Sequence, residues 1–307
     1  QHGLLVIPIP EMDDESHVIL SSLDETVIQH GASFNLGLHK YNGDCFSPNG
    51  HKYIREFNCD SSIQTMYRVG GVILTKEKVF VEHENRILIK YTLVEAHSPT
   101  TLQFRPFLAF RPANALCVEN DAINTAYENV PNGISCCLYE GYPQLFMQFN
   151  KQAQFVSDPH WYKGIEYPKD QERGESYRED LYVPGYFELP IKKGDSIIFS
   201  AGIGKAAPRT LAKTFTNEIA NRTPRNSFFN CLKNSAQQFY FKKGKDLYIL
   251  AGYPFFGVRA RDEFIALPGC SLSIGDVAAF EQTMATTQRA LRRYMEYGET
   301  DPMIKEI

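Results

Sequence analysis

The sequence has little of what metal, redox and nucleotide sites are built from. Its seven cysteines are scattered at Cys45, Cys59, Cys117, Cys136, Cys137, Cys231 and Cys270 with no C-x-x-C spacing. Neither a disulfide framework nor a zinc site is expected, and reduced thiols in a reducing compartment are the simpler account. The histidines show no H-x-x-x-H spacing, and there is no G-x-S-x-G elbow, G-x-G-x-x-G or phosphate loop. Metal-hydrolase, serine-hydrolase and dinucleotide readings are therefore set aside. An excess of charge of one sign is also small. A net charge of −4, with Lys and Arg spread along the chain, leaves no basic footprint for nucleic acid and favours a neutral substrate. No apolar run approaches the roughly 20 residues of a membrane span. The start, QHGLLVIPIP, has neither an initiator Met nor the basic segment of a signal peptide. A processed or trimmed piece of a longer protein is expected.

Aromatic residues are plentiful by contrast: 17 Tyr and 21 Phe against the lone Trp161. They suit a large sandwich core or a sugar-facing cleft, core packing being the first expectation. At 307 residues, 43% of them hydrophobic, the chain can bury a substantial core, and two domains are expected.

Residues 1–205 read as strand after strand. In RILIKYTLVE, Ile87, Ile89, Tyr91 and Leu93 recur at every second position, the mark of a half-buried strand. Turn signals at Asn42-Gly43, Gly70-Gly71, 97–100 and 131–133 separate the runs. So many strands predict two packed antiparallel sheets. Residues 206–222 read as a linker, and 223–307 as helices with one irregular interruption, KGKDLYILAGYPFFGVRARD. The first helix is expected over about 225–241 with Thr223-Pro224 near its start and a stripe of Phe228, Leu232, Ala236, Phe239 and Tyr240. A short one covers EFIALPGCSL, and the last runs from about Gly275-Asp276 to Tyr297 with Asp276 as N-cap. Its stripe is Val277, Phe280, Met284, Leu291 and Met295.

The stretch 249–271, ILAGYPFFGVRARDEFIALPGCS, sets charged groups in an apolar run. Burying an unpaired carboxylate is costly, so Asp262 is either a member of an Arg261–Asp262 pair fixing a helix start or a working group. Ala251, Gly252, Tyr253, Pro254, Phe256, Arg261, Asp262 and the run Ile265 to Gly269 resemble a segment of bacterial and archaeal glycogen debranching enzymes. HGLLV at 2–6, SSLDETV at 21–27, SPNGHKYIREF at 47–57, FRPFLAFR at 104–111 and WYKGIEYPKDQERGESYREDLYVPG at 161–185 resemble, in order, the N-terminal domain of the same family. The resemblance implies a mainly β fold: an antiparallel β-supersandwich followed by a few α-helices that begin an (α/α)6 toroid. It implies hydrolysis of α-1,6-linked branch points in an α-glucan, in the cytoplasm, without cofactor, metal or membrane. Asp262 falls on one of the family's two catalytic carboxylates. Tyr253, Phe255, Phe256, Arg261 and Trp161 are the expected substrate-binding residues. Two carboxylates suit the chemistry because one protonates the leaving oxygen while the other activates water or attacks. No position matches the second, which is expected beyond Ile307, so the 307-residue chain alone is expected to be inactive.

One departure is clear: Arg259-Ala260 stands where the family has Trp-Gly. An indole face is lost, and a cation beside Asp262 would favour its charged form. A rival carboxylate cluster, Glu172, Glu175, Glu179 and Asp180, is interleaved with Arg173 and Arg178 and reads as a solvated loop laced with salt bridges. Trp161 and Tyr162 offer aromatic faces there, for a pyranose or for the core. A second reading of the whole chain is a non-catalytic β-sandwich module that binds glycan or a partner; fold alone does not choose between the two.

Overall fold

The computed structural model describes residues 3–13, 15–82, 84–252 and 256–306. The chain divides into two compact units, 1–221 and 222–307. In the first, strands run in the order β1 (Leu5–Pro8), β2 (Ser16–Gln29), β3 (Ala32–Asn35), β4 (Leu38–Tyr41), β5 (Cys45–Asn49), β6 (Ile54–Cys59), β7 (Ile63–Val69) and β8 (Val72–Phe80). They continue as β9 (Arg86–Glu95), β10 (Thr100–Pro112), β11 (Tyr127–Val130), β12 (Gly133–Cys136), β13 (Leu145–Phe149), β14 (Gln154–Glu166), β15 (Arg178–Ile191) and β16 (Ser196–Gly202). One sheet has the order β1-β2-β10-β15-β14-β4-β5 with β3 on β2; the other is β11-β12-β13-β16-β9-β8-β7-β6. Pairings within both sheets are antiparallel, as the alternation predicted.

The inner faces meet in an aromatic core. Phe149 has its ring centroid 5.1 Å from Phe104, 5.1 Å from Phe187 and 5.2 Å from Phe199, so one side chain touches strands of both sheets. Such offset and edge contacts are the favoured aromatic geometries. Ile87, Ile89, Tyr91 and Leu93 are all buried, as their period-2 spacing required.

The structure departs from several expectations. The segment 206–222 is not a bare linker: α2 (Leu211–Asn221) follows the short α1 (Pro168–Glu172). Leu211 and Phe215 of α2 pack on Val79, Val81, Leu88 and Ile198, on the outer face of the second sheet. The solvated-loop reading of 161–185 holds only in part: Glu172 and Glu175 are exposed and salt-bridged to Lys169 and Arg173, but Glu179 and Asp180 lie on β15, paired with β14 around α1. Glu166, Asp170 and Glu179 are buried there because each carboxylate has a cationic neighbour within the fold. The interruption in 243–262 is not irregular. Strands β17 (Tyr240–Lys243), β18 (Asp246–Gly252) and β19 (Phe256–Arg259) form hairpins, and β20 (Ile304–Glu306) joins β19 in parallel.

The second unit also holds α3 (Phe228–Gln237), α4 (Ala260–Cys270) and α5 (Val277–Tyr297). Ser227, rather than Thr223, caps α3 by accepting from the Asn230 N–H, and Asp276 caps α5 by accepting from Ala279. The expected apolar stripes are not the buried faces. Phe228 and Leu232 are exposed, as are Val277 and Met295. The buried face of α5 is instead Ala279, Thr283, Thr286, Thr287 and Ala290, small side chains that let the helix approach β18 closely. No helix among the described residues is long and apolar enough to cross a membrane.

Candidate functional site

The site expected around Asp262 is built where β19 hands over to α4. Gly252 pairs with Phe256 across the β18–β19 hairpin, and a Cβ at Gly252 would overlap the Phe256 ring. The absence of a side chain is what lets that ring lie against the strand. Phe256 is itself 52% exposed. The Arg259 guanidinium sits over it at 5.1 Å from the ring centroid, a cation–π contact, so the arginine leans on the neighbouring aromatic. Tyr253, Pro254 and Phe255 lie outside the described residues.

Arg259 is the N-cap of α4, with Ala260 first in the helix and Asp262 and Glu263 in its first turn. Free N–H groups there favour negative charge. Asp262 is half-buried and Arg261 exposed. Among the described residues neither side chain makes a hydrogen bond or ion pair with the other or with any third group. The pair that would have made Asp262 a purely structural residue is not formed.

The adjacent Glu263 is the carboxylate that fixes the site, and the sequence reading passed over it. It is fully buried, accepting from the Ile249 N–H at 3.0 Å and from the Thr287 hydroxyl at 2.7 Å. Burial pushes its pKa above the ordinary value of 4.5, opposed by those two donors. It ties α4 to β18 and α5 at the level of Asp262. A signal was present: Ala260, Glu263 and Leu267 recur at i, i+3 and i+7 and are the buried residues of α4.

Trp161 belongs to the other unit. It is half-buried on β14, packed on the main core, with its ring 5.5 Å from Tyr182 and tilted by 60°. Among the described residues no group of three His, Cys, Asp or Glu side chains could hold a metal ion.

Comparison with solved structures finds a bacterial glucoamylase complexed with acarbose, at 10% identity and a TM-score of 0.47, covering 91% of this chain and 45% of that one. It also finds the heparan sulfate lyase HepC of Pedobacter heparinus, at 11% identity and a TM-score of 0.33, covering 64% and 31%. The chain thus spans less than half the length of either. No curated protein matches the sequence. A family model described as glycogen debranching enzyme N terminal matches residues 1–198, the segment that folds into the two antiparallel sheets, and the chain belongs to that family.

Proposed function

We propose that this chain is the N-terminal part of a glycogen debranching enzyme that hydrolyses α-1,6-glucosidic branch points of an α-glucan in the cytoplasm. Asp262 serves as one of two carboxylates in an inverting reaction. The observation that carries the reading is the state of Asp262: a half-buried carboxylate at a helix start that no described protein group engages. Such a group is free to meet a substrate hydroxyl, the glycosidic oxygen or a water.

In the proposed reaction one carboxyl protonates the leaving oxygen while the other removes a proton from the attacking water, the two about 6.5–9.5 Å apart. This chain supplies Asp262, held by the Glu263 anchor. The second carboxylate lies outside these residues. Phe256 and Arg261 offer an aromatic face for stacking and a guanidinium whose N–H groups can donate to sugar hydroxyls. The helices of the second unit are read as the opening of an (α/α)6 toroid. In support, α3 has no buried residue and the apolar stripe of α5 is exposed at Val277 and Met295, as befits helices with further packing partners.

The test is Asp262→Asn in the natural full-length protein, with glucose release from a limit dextrin as readout. Turnover is expected to fall by about 10²-fold or more with folding intact, while the 307-residue chain releases none. Unchanged turnover in the variant would overturn the role of Asp262, and robust release by the 307-residue chain would overturn the need for an outside carboxylate.

A further inference from the structure

The outer face of the first sheet changes character along its strands. Toward one end it carries Val18, Phe107, Ala109, Ile165, Leu181 and Val183 in a small apolar cluster, against which Tyr41 and Tyr162 pack. At the other, the same strands line a cleft of about 460 Å³, within the size range of ligand pockets. Its floor is set by register: Asp24 is opposite Arg105 and Thr26 opposite Gln103 on β2 and β10. Strand β4 and the residues after β5's start bring His39, Tyr41 and Pro48 over it, and β14 brings Tyr162.

The polar groups are half-used. Asp24 is buried and holds His39 Nε2 at 2.9 Å; the other ring nitrogen makes no hydrogen bond among the described residues. Arg105 gives Nη1 to Asp158 at 3.2 Å and to the Tyr162 hydroxyl at 3.4 Å, leaving Nε and Nη2 without a described acceptor. Asn35 accepts from the Gly37 N–H at 2.7 Å through Oδ1, which leaves its NH₂ free. Gln103 donates to Glu188 at 3.1 Å, which leaves its carbonyl oxygen. Donors and acceptors of both kinds therefore remain open in one concavity.

That mixture selects the ligand. The Asp24 carboxylate on the floor repels an anion, and Arg105 opposite repels a cation. A neutral molecule dense in hydroxyls matches free donors and acceptors together, and the half-buried Tyr41 and Tyr162 in the cleft wall add aromatic surface for the apolar side of a pyranose. Folding alone would favour apolar side chains here, as it does at the other end of the same face, because half-satisfied polar groups cost stability.

We propose that this cleft is a binding site for a stretch of α-linked glucan, additional to Asp262 and formed by the sandwich alone. Its ligand class rests on the proposed function; its neutral, polyhydroxylic character does not.

The probe is maltoheptaose, added to the 307-residue chain and followed by calorimetry and by hydrogen exchange. Binding is expected with slowed exchange in 35–48 and 103–107. Arg105→Met and Tyr41→Ala are each expected to weaken it by about tenfold. Because either cleft variant could unfold locally, exchange on the unmodified chain stands as the independent measurement. Absence of protection in those segments, or variants that bind as the parent does, would overturn the proposal. If cleft protection is absent while the full-length protein still loses turnover on Asp262→Asn, the cleft alone falls. If protection is seen while Asp262→Asn leaves turnover intact, the cleft stands and the catalytic reading falls.

Discussion

Glu179 and Arg111 meet as a buried, two-pronged ion pair on the outer face of the first sheet. Arg111 Nε donates to Glu179 Oε1, and Nη2 to Oε2 at 3.1 Å. The same carboxylate accepts from the Cys117 N–H at 3.1 Å and from the Tyr167 hydroxyl, so four donors converge on two oxygens. Burial, then the Glu179 charge, pushes the Cys117 thiol up to about 12 and the Tyr167 hydroxyl well above its ordinary value. One charged pair thus pins the chain after β10 and the start of α1 to β15.

Removing one partner should cost more than the pair contributes. Arg111→Met is expected to destabilise the first unit by about 3–5 kcal/mol, since it strands a buried carboxylate. The double variant Arg111→Met with Glu179→Leu should recover part of that loss. Urea unfolding followed by tyrosine fluorescence reads both; a double variant no more stable than the single one would show that the remaining donors, not the charge, dominate.

Gly133, where β12 begins, is a second point of no tolerance. A Cβ there would overlap the Met147 carbonyl oxygen on β13, and backbone of a central pairing cannot move aside as a side chain does. Gly133→Ala is expected to destabilise the sandwich by about 1–3 kcal/mol. A melting temperature equal to that of the parent would show that the β12–β13 pairing is looser than described.

Glu263 gives a pH signature to the second unit. Its folded pKa is raised above 4.5, so the folded state binds its proton more tightly than the unfolded one. The stability linked to that proton is fully present below about 4.5 and is lost as pH rises through the folded pKa. Glu263→Gln keeps an acceptor for the Ile249 N–H at every pH and sets an NH₂ against Thr287, whose hydroxyl then accepts instead of donating. The variant should flatten the decline in stability on going from acid to neutral pH. A steeper decline would assign the linkage to another group.

The sequence made strands legible where alternation was unbroken, as in β9, and blurred them where it was not. In β14 the register shifts between Ser157 and His160 and again between Tyr162 and Ile165, and each bulge resets the period of two. With Glu166 and Glu179 added, the hairpin read as a polar loop, because the partners Lys40 and Arg111 that permit burial lie far away in sequence. The start of α4 was legible through a contiguous motif. The sandwich cleft was not, since Asp24, His39 and Arg105 come from three strands that only pairing order brings together. The helical stripes misled for a physical reason: apolar periodicity marks a face able to be buried, and on α5 the face that is buried here is the small one.

That last point yields a prediction on α3. Phe228 is 80% exposed and Phe229 57%, and no residue of the helix is buried; its fixed points are the Ser227 cap and the contacts that join it to α4. Phe228→Ser and Phe229→Ser should therefore change the stability of this chain by no more than about 0.5 kcal/mol, the range of surface substitutions. Ser227→Ala, which touches no apolar surface, should cost about 1 kcal/mol through the lost cap. The order of effects is the reverse of what residue size suggests. Calorimetric melting at two protein concentrations checks it. A large loss in the phenylalanine variants, with a melting temperature that depends on concentration, would show that the exposed face is covered in solution by a second copy of the chain.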